Sequence, residues 1–351
     1  MKSVRYGIVG FGGIAENRIA KEGFGLDTRR FSKNMDAMLV AACDANASRA
    51  DAARALGLEW YADFSSMLAD PSLDAVVIAS NNRTHTSLAR EAILAGKHVL
   101  IEKPIGVQLD EVCEMLDLAK ARNLSVAVDH MMTKNTYNKE GRRRIREKVI
   151  GDIVHLVLHM EFAYGMIESE AATWRCADPG ELGGPIGDVG SHCLYMAEFL
   201  TDDMIESLQC VYTPKHLNIA VEDGAVINFT TKKGYTGTIR VAFDQPQGTD
   251  RDTLSGLGYE VYGTKGALIG EATLFQLSGY SDEPAPVRLY TKIDGKVDDF
   301  IPQSVENIYR SQINEHAASI REGKPLRGKD GLRNLEMILQ AHESAVTNQR
   351  K

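Results

Sequence analysis

Three side chains are of the types that move a proton and steady a charged oxygen: Lys103, Asp188 and His192. Lys103 stands in Glu102-Lys103-Pro104, directly after an apolar run that reads as a strand over residues 98–102. Pro104 fixes its own φ and biases Lys103 toward an extended backbone, so the ammonium is aimed from the end of that strand. There it can hydrogen-bond a substrate oxygen and stabilise negative charge on it. Asp188 lies within a glycine-rich stretch, residues 180–190, and His192 just after it; they are four apart, so on a helix they share a face. Histidine titrates near neutrality and suits the transfer of an alcohol proton, and a neighbouring carboxylate can orient it or tune its pKa. Each residue alone has a plainer reading: an exposed strand-end lysine, a helix-capping aspartate, a packed imidazole. Their occurrence in the same chain as a glycine-rich strand-to-helix turn favours the chemical one.

That turn lies at the start of the chain. Residues 4–9 read as a buried strand, and Gly10, Gly12 and Ala15 fill the pattern G-x-G-x-x-A. Gly10 permits the tight turn, Gly12 lets backbone approach a pyrophosphate, and the small Ala15 lets the helix pack on the strand. The next strand, residues 38–43, ends at Asp44, where a carboxylate accepts from both hydroxyls of an adenosine ribose and repels a 2′-phosphate. NAD is therefore expected over NADP, with NADP not excluded. The alternative for Asp44 is a cap for the helix that follows. Residues 21–36 read as an inserted polar loop carrying Gly23, Gly25, Arg29 and Arg30. It is expected near the adenosine, where its arginines would compete with the Asp44 argument.

The elements that must position these groups fall into two sets. Over residues 4–129 short β-rich runs alternate with helical ones: strands at 4–9, 38–43, 74–79, 98–102 and 125–128, helices at 48–56, 65–69, 84–95 and 109–122. This is the pattern of a parallel sheet covered on both faces. After about residue 130 a basic helix (139–149) leads into long alternating strands near 152–164, 204–213, 224–231, 235–243, 258–263 and 286–293, with a hairpin turn at Lys232, Lys233 and Gly234. The fold class is thus α/β, a Rossmann domain over residues 1–129 followed by an α+β domain over 130–351 built on a mostly antiparallel, open-faced sheet. Helical spacing returns at 301–322 and 331–346, and the last helix, to residue 347, is expected to pack back on the first domain.

Composition narrows the possibilities. The 351 residues carry a net charge of −8, which argues against a general nucleic-acid surface, and the basic run Arg142, Arg143, Arg144, Arg146 reads as a solvated helix face. Five scattered cysteines form no C-x-x-C pair, so neither a disulfide framework nor a zinc ribbon is indicated. No apolar run approaches the ~20 residues of a membrane span, and a cytoplasmic location is expected. His155, His159 and Glu161 share parity on one strand, which alternation alone produces, so no metal is expected. Cys193 reads as a structural thiol. The second sheet has more apolar alternating positions than the recognisable helices can cover, which predicts a homodimer or homotetramer built through it.

Taken together, these segments resemble the Gfo/Idh/MocA oxidoreductase family. The resemblance rests on Gly10, Phe11, Gly12, Gly13, Ile14 and Ala15; on Asn81 to His85; on Ala95 to Val99 with Glu102, Lys103 and Pro104; on Gly183, Gly184 and Asp188 to His192; and on Ile320 to Pro325. It implies a catalytic set Lys103, Asp188 and His192, with Ser80, Asn81, His85, Glu102 and Lys103 along the nicotinamide half of the cofactor. It also implies a sugar, inositol or related polyol as substrate. Trp174, Arg175 and His130 are further candidates for contact with the substrate. The activity implied is interconversion of a secondary alcohol and a ketone by hydride transfer. The alternatives within such a family are a redox-neutral, NAD-dependent glycosidase and a non-catalytic sugar-sensing regulator. Three departures bear on the substrate: Tyr195 where many members carry Asp, Asn81 in place of a common proline, and Asp129-His130-Met131-Met132 in place of the frequent Asn-x-Arg.

Overall fold

The computed structural model describes residues 3–245, 256–279 and 287–349. The chain divides into two compact units, one formed by residues 1–131, 278–280 and 306–335 and the other by residues 132–277, 281–305 and 336–351.

In the first unit a six-stranded parallel sheet has the order β3-β2-β1-β4-β5-β6. Its strands are β1 (Val4–Val9), β2 (Ala37–Cys43), β3 (Glu59–Tyr61), β4 (Ala75–Ile78), β5 (His98–Ile101) and β6 (Val126–Val128). The central strands β1, β4 and β5 are apolar and buried apart from Arg5 and His98 near their starts, because helices cover both faces. Strand order reverses between β1 and β4, which opens a crevice beyond their carboxyl ends. Only the edge strand β3 is absent from the sequence reading, because its three residues are too few to show a period.

Two expectations are corrected here. The helix Ile308–Arg321, assigned by sequence to the second domain, belongs to the first unit. There it packs on the helix Ala15–Gly23 and on β1, with His316 Nδ1 3.0 Å from the buried Tyr6 hydroxyl. The last helix, Lys329–Gln349, starts in the first unit and ends in the second. The second correction concerns the inserted loop. The helix Ala15–Gly23 carries the chain away from the carboxyl edge of the sheet, so the loop begins and ends at the amino edge, where Val4 N–H donates to Asp36 O at 3.0 Å. Asp44 lies at the other end of β2, about 20 Å away at the usual rise per strand residue. The loop is anchored to the Ile308–Arg321 helix instead. Arg310 donates to Gly23 O and to Ser32 Oγ, Asn34 to Asn314 Oδ1 at 2.7 Å, and Arg321 pairs with Asp36 at 3.1 Å. Arg29 is exposed and pairs with Asp27 at 3.0 Å. The arginines of the loop do not compete with Asp44.

In the second unit an eight-stranded sheet has the order β14-β13-β12-β11-β7-β10-β9-β8. Its strands are β7 (Ile153–Glu161), β8 (Ile205–Tyr212), β9 (Gly224–Thr231), β10 (Thr236–Ala242), β11 (Leu257–Gly263), β12 (Gly266–Glu271), β13 (Arg288–Ile293) and β14 (Lys296–Asp299). Neighbours are antiparallel except β7 with β10. Gly234, at φ +86°, closes the β9–β10 hairpin. The short strands β12 and β14 escaped the sequence reading, and residue 286 of the expected strand 286–293 lies outside the described residues. The inner face, with Leu156, Leu158, Met160, Ile227, Phe229, Ile239 and Val241, is covered by the helices Thr136–Arg146 and Ser191–Thr201. The basic run is spoken for by carboxylates: Arg142 and Arg146 pair with Asp202, Arg143 with Glu140 and Glu147, and Arg144 with Glu140 and Asp298.

Candidate active site

At the sheet reversal Gly10 adopts φ +84°, and a Cβ there would lie 2.4 Å from Ser80 N. No side chain fits. At Gly12 and Gly13, by contrast, a Cβ would meet nothing within 4 Å, so the backbone is bare toward the crevice. The helix that starts here offers N–H groups without intrahelical acceptors around Gly12, Gly13 and Ile14, the arrangement that binds phosphate. Phe11 is fully buried, and its carbonyl accepts from Arg49 Nε at 2.7 Å. Asp44 is half-buried at the end of β2, and one of its oxygens accepts from Asn46 N–H at 2.7 Å. The cap of the following turn is Asn46, which accepts from Ser48 N–H, so Asp44 is not consumed by capping. These features fit a dinucleotide: a tight turn, a cradle that a Cβ would fill, and an acid at the ribose position.

At the ends of β4 and β5 the chain is locked by His85. Its ring is fully buried, with Nδ1 2.8 Å from Pro104 O and Nε2 3.1 Å from Ser80 O, and burial holds its pKa below the ordinary histidine value. His85 therefore fixes the backbone at the candidate cofactor residue Ser80 and at Pro104, the neighbour of Lys103, with no surface of its own to touch a ligand. Ser80 Oγ lies 2.7 Å from Thr84 Oγ1, and Asn81 is exposed. Lys103 is half-buried, its N–H donates to Glu102 Oε2 at 3.2 Å, and the Lys103–Pro104 peptide is cis. His130 is buried and lies 3.2 Å from Asp330 Oδ2, a tie to the first turn of the last helix.

In the second unit the glycine-rich stretch takes a wider coil than an α-helix over Ile186–Gly190 before the helix Ser191–Thr201 begins. A Cβ on Gly187 would lie 1.8 Å from Leu182 O, so this coil requires glycine. Such π-type turns concentrate at functional sites. Asp188 sits in the coil and His192 in the helix. Asp188 Oδ1 is 3.5 Å from Arg175 Nε, and this carboxylate raises the Arg175 pKa. The Arg175 guanidinium also stacks 4.7 Å from the centre of the Trp174 ring. His192 Nδ1 lies 2.7 Å from the Tyr195 hydroxyl. The structure thus pairs Asp188 with Arg175 and His192 with Tyr195. Cys193 is fully buried, and burial pushes its thiol well up, which suits a structural residue. On the outer sheet face, His155 bonds Thr236 and Glu161 pairs with Arg240, and among the described residues no cluster suited to a metal ion occurs.

Sequence reasoning missed Glu222, which no motif marks. Its Oε1 accepts from Ile186 N–H at 2.9 Å, and its carboxyl lies 2.8 Å from where a Cβ on Gly184 (φ +68°) would stand. The residue anchors the loop that carries Asp188. Burial raises its pKa from 4.5 to about 7, against the opposing pull of the Ile186 N–H and Lys215. Between those values the folded chain keeps a proton that the unfolded chain has lost, so this residue's contribution to stability falls as pH rises through the window. Glu222→Gln keeps an acceptor and removes the charge. Its stability relative to the native protein should grow by up to about 3 kcal/mol between pH 4 and pH 8. Urea unfolding at the two pH values checks this, and an equal difference at both would refute it.

A parallel-sheet unit with a Rossmann-type glycine turn and a second unit built on a mostly antiparallel sheet define the class: a two-domain oxidoreductase with a Rossmann fold. The chain belongs to the Gfo/Idh/MocA oxidoreductase family. Its residues 4–130 match the family described as "Oxidoreductase family, NAD-binding Rossmann fold", and residues 139–269 match the GFO/IDH/MocA C-terminal domain. The chain is 28% identical to 1,5-anhydro-D-fructose reductase of Ensifer adhaerens, over 81% of this chain and 80% of that one. It is 25% identical to inositol 2-dehydrogenase of Rhizobium meliloti, over 98% and 97%. The fold is shared with an aldose-aldose oxidoreductase from Caulobacter crescentus solved with glycerol, at TM-score 0.82, 19% identity and coverage of 99% and 98%. It is also shared with a 3-ketoreductase from Actinomadura kijaniata solved with NADP and TDP-benzene, at TM-score 0.80, 18% identity and coverage of 97% and 98%. Among the described residues no helix is long and apolar enough to cross a membrane.

Proposed function

We propose that the protein interconverts a secondary alcohol and a ketone on a sugar or cyclic polyol, with NAD as cofactor. The observation that carries the reading is the left-handed Gly10 at the sheet reversal beside the bare backbone of Gly12 and Gly13. A bound nicotinamide dinucleotide supplies hydride transfer. The protein's own part is acid–base and electrostatic. His192 takes the hydroxyl proton in oxidation and returns it in reduction, while Lys103 hydrogen-bonds the reacting oxygen and lowers the cost of its charge. Asp188, fixed by Arg175, holds substrate hydroxyls, and the stacked Trp174 and Arg175 form a wall for the ring. The relatives' names point to the same substrate class. A panel of myo-inositol, levoglucosan, glucose 6-phosphate and 1,5-anhydro-D-fructose with each nicotinamide cofactor tests it by absorbance of the reduced form. Turnover of a glycoside without accumulation of NADH would replace this reading with a redox-neutral one.

NAD is proposed over NADP because Asp44 stands at the ribose position and Arg49, the cation next along the chain, is engaged by Glu16 and the Phe11 carbonyl. The expected kcat/KM is higher with NAD, and Asp44→Ser should narrow or reverse the preference. A native enzyme that uses NADP more efficiently would overturn the assignment.

A homodimer or homotetramer through the outer face of the eight-stranded sheet is also proposed. That face is more polar than the sequence led one to expect, with Thr238 bonded to Asn228 and Arg240 to Glu161, yet Val211 and Tyr262 stand exposed on it. Light scattering at micromolar concentration should give a multiple of the chain mass, and a monomer would exclude this interface.

A further inference from the structure

We propose that Tyr195 is a positioning residue that sets the tautomer of His192, an inference resting on the assignment of His192 as the acid–base group. The two residues are three apart on the helix Ser191–Thr201, a spacing that brings side chains together. The hydroxyl lies 2.7 Å from Nδ1, with the rings edge to face at 5.5 Å between centres. Both residues are buried, so the imidazole is held by packing as well as by the bond.

A phenol can donate to an imidazole nitrogen or accept from its N–H, and the required chemistry decides between the two. If the hydroxyl donated to Nδ1, the neutral ring would carry its proton on Nε2, and Nε2 would have no lone pair for a substrate proton. If the hydroxyl accepts from Nδ1–H, Nε2 carries the lone pair that can take that proton. The Nδ1–H···O bond then persists unchanged in the neutral ring and in the imidazolium, so one proton moves at Nε2 and nothing else has to rotate. The phenol supplies this orientation without a charge. A carboxylate at the same place, as many members of the family carry, would orient the ring and also strengthen its hold on the proton. Tyr195 therefore leaves the imidazolium the stronger acid, better suited to returning a proton to the oxygen of a ketone being reduced.

The test uses the full chain labelled with ¹⁵N-histidine. Long-range ¹H–¹⁵N correlation spectra identify which ring nitrogen of His192 carries the proton, with His192→Gln used to assign the signal. The native protein should show the Nδ1–H tautomer. Tyr195→Phe, which keeps the ring and removes the hydroxyl, should shift it toward the Nε2–H form. With myo-inositol and NAD, or 1,5-anhydro-D-fructose and NADH, whichever is turned over, kcat in this variant should fall about tenfold while KM stays within about twofold. An Nε2–H tautomer in the native protein would overturn the proposal even if the variant failed to fold. So would a variant whose tautomer and kcat match the native ones. Retained turnover in His192→Ala would strike the acid–base assignment itself while leaving the spectroscopic result standing, so the two failures are distinct.

Discussion

His192→Ala and Lys103→Ala will each lower kcat by about 10²- to 10⁴-fold, the usual loss when a general base or its electrostatic partner is removed. Cofactor affinity should largely survive in both, because the pyrophosphate and adenosine are expected to be held by Gly10, Gly12, Gly13 and Asp44, with Lys103 only one of several residues along the nicotinamide half. Nicotinamide fluorescence titrations beside steady-state rates separate the two effects. The shared phenotype is the informative part: these residues stand 89 positions apart in sequence (192 − 103) and in different units, so equal collapse in kcat with little-changed NADH binding identifies one reaction that needs both. Near-native turnover in His192→Ala would leave the histidine as a packing residue bonded to Tyr195.

The second large effect is a contrast between two glycines two positions apart. Gly12→Ala adds a methyl group to open space, so thermal stability should stay close to native. The methyl would nevertheless occupy the position that a pyrophosphate must approach, and NADH affinity should fall by at least about tenfold, the equivalent of ~1.4 kcal/mol. Gly10→Ala meets Ser80 N at 2.4 Å from a backbone at φ +84°, and neither strand can yield without breaking the ladder between β1 and β4. It should cost at least about 2–3 kcal/mol of stability and lose cofactor binding as well. If Gly12→Ala binds NADH like the native protein, the glycine turn serves packing alone.

The parallel sheet was legible because its buried strands are continuous apolar runs punctuated by glycine, and β1, β2, β4 and β5 lie within a residue or so of where those runs begin and end. What escaped was short or depended on distance in space. β3 and β14 are three and four residues long and show no period. The inserted loop was misplaced because its composition says polar without saying which edge of the sheet it decorates; that is fixed by the direction of the helix Ala15–Gly23 and by Arg310, nearly 300 residues later. The family motifs marked Lys103, Asp188 and His192. The partners Arg175, Tyr195 and Glu222 are a different kind of fact, visible only once side chains have positions. Arg175 and Tyr195 were noticed for their types and places in the sequence, but that one holds Asp188 and the other His192 could not be read there.

The return of the Ile308–Arg321 helix to the first unit has a consequence for synthesis. Tyr6 lies in β1, made about 300 residues before the helix that covers it, yet its ring is sealed by Phe24 and by His316, and Ser125 beside β6 waits for Ser319 at 2.8 Å. A nascent chain halted after residue 131 holds every strand of the nucleotide-binding sheet and still leaves one side of β1 wet. The amino-terminal half therefore cannot finish folding in the order in which it is made. It waits for the Ile308–Arg321 helix, and a fragment cut at residue 131 should emerge as a chaperone client rather than as a free-standing domain.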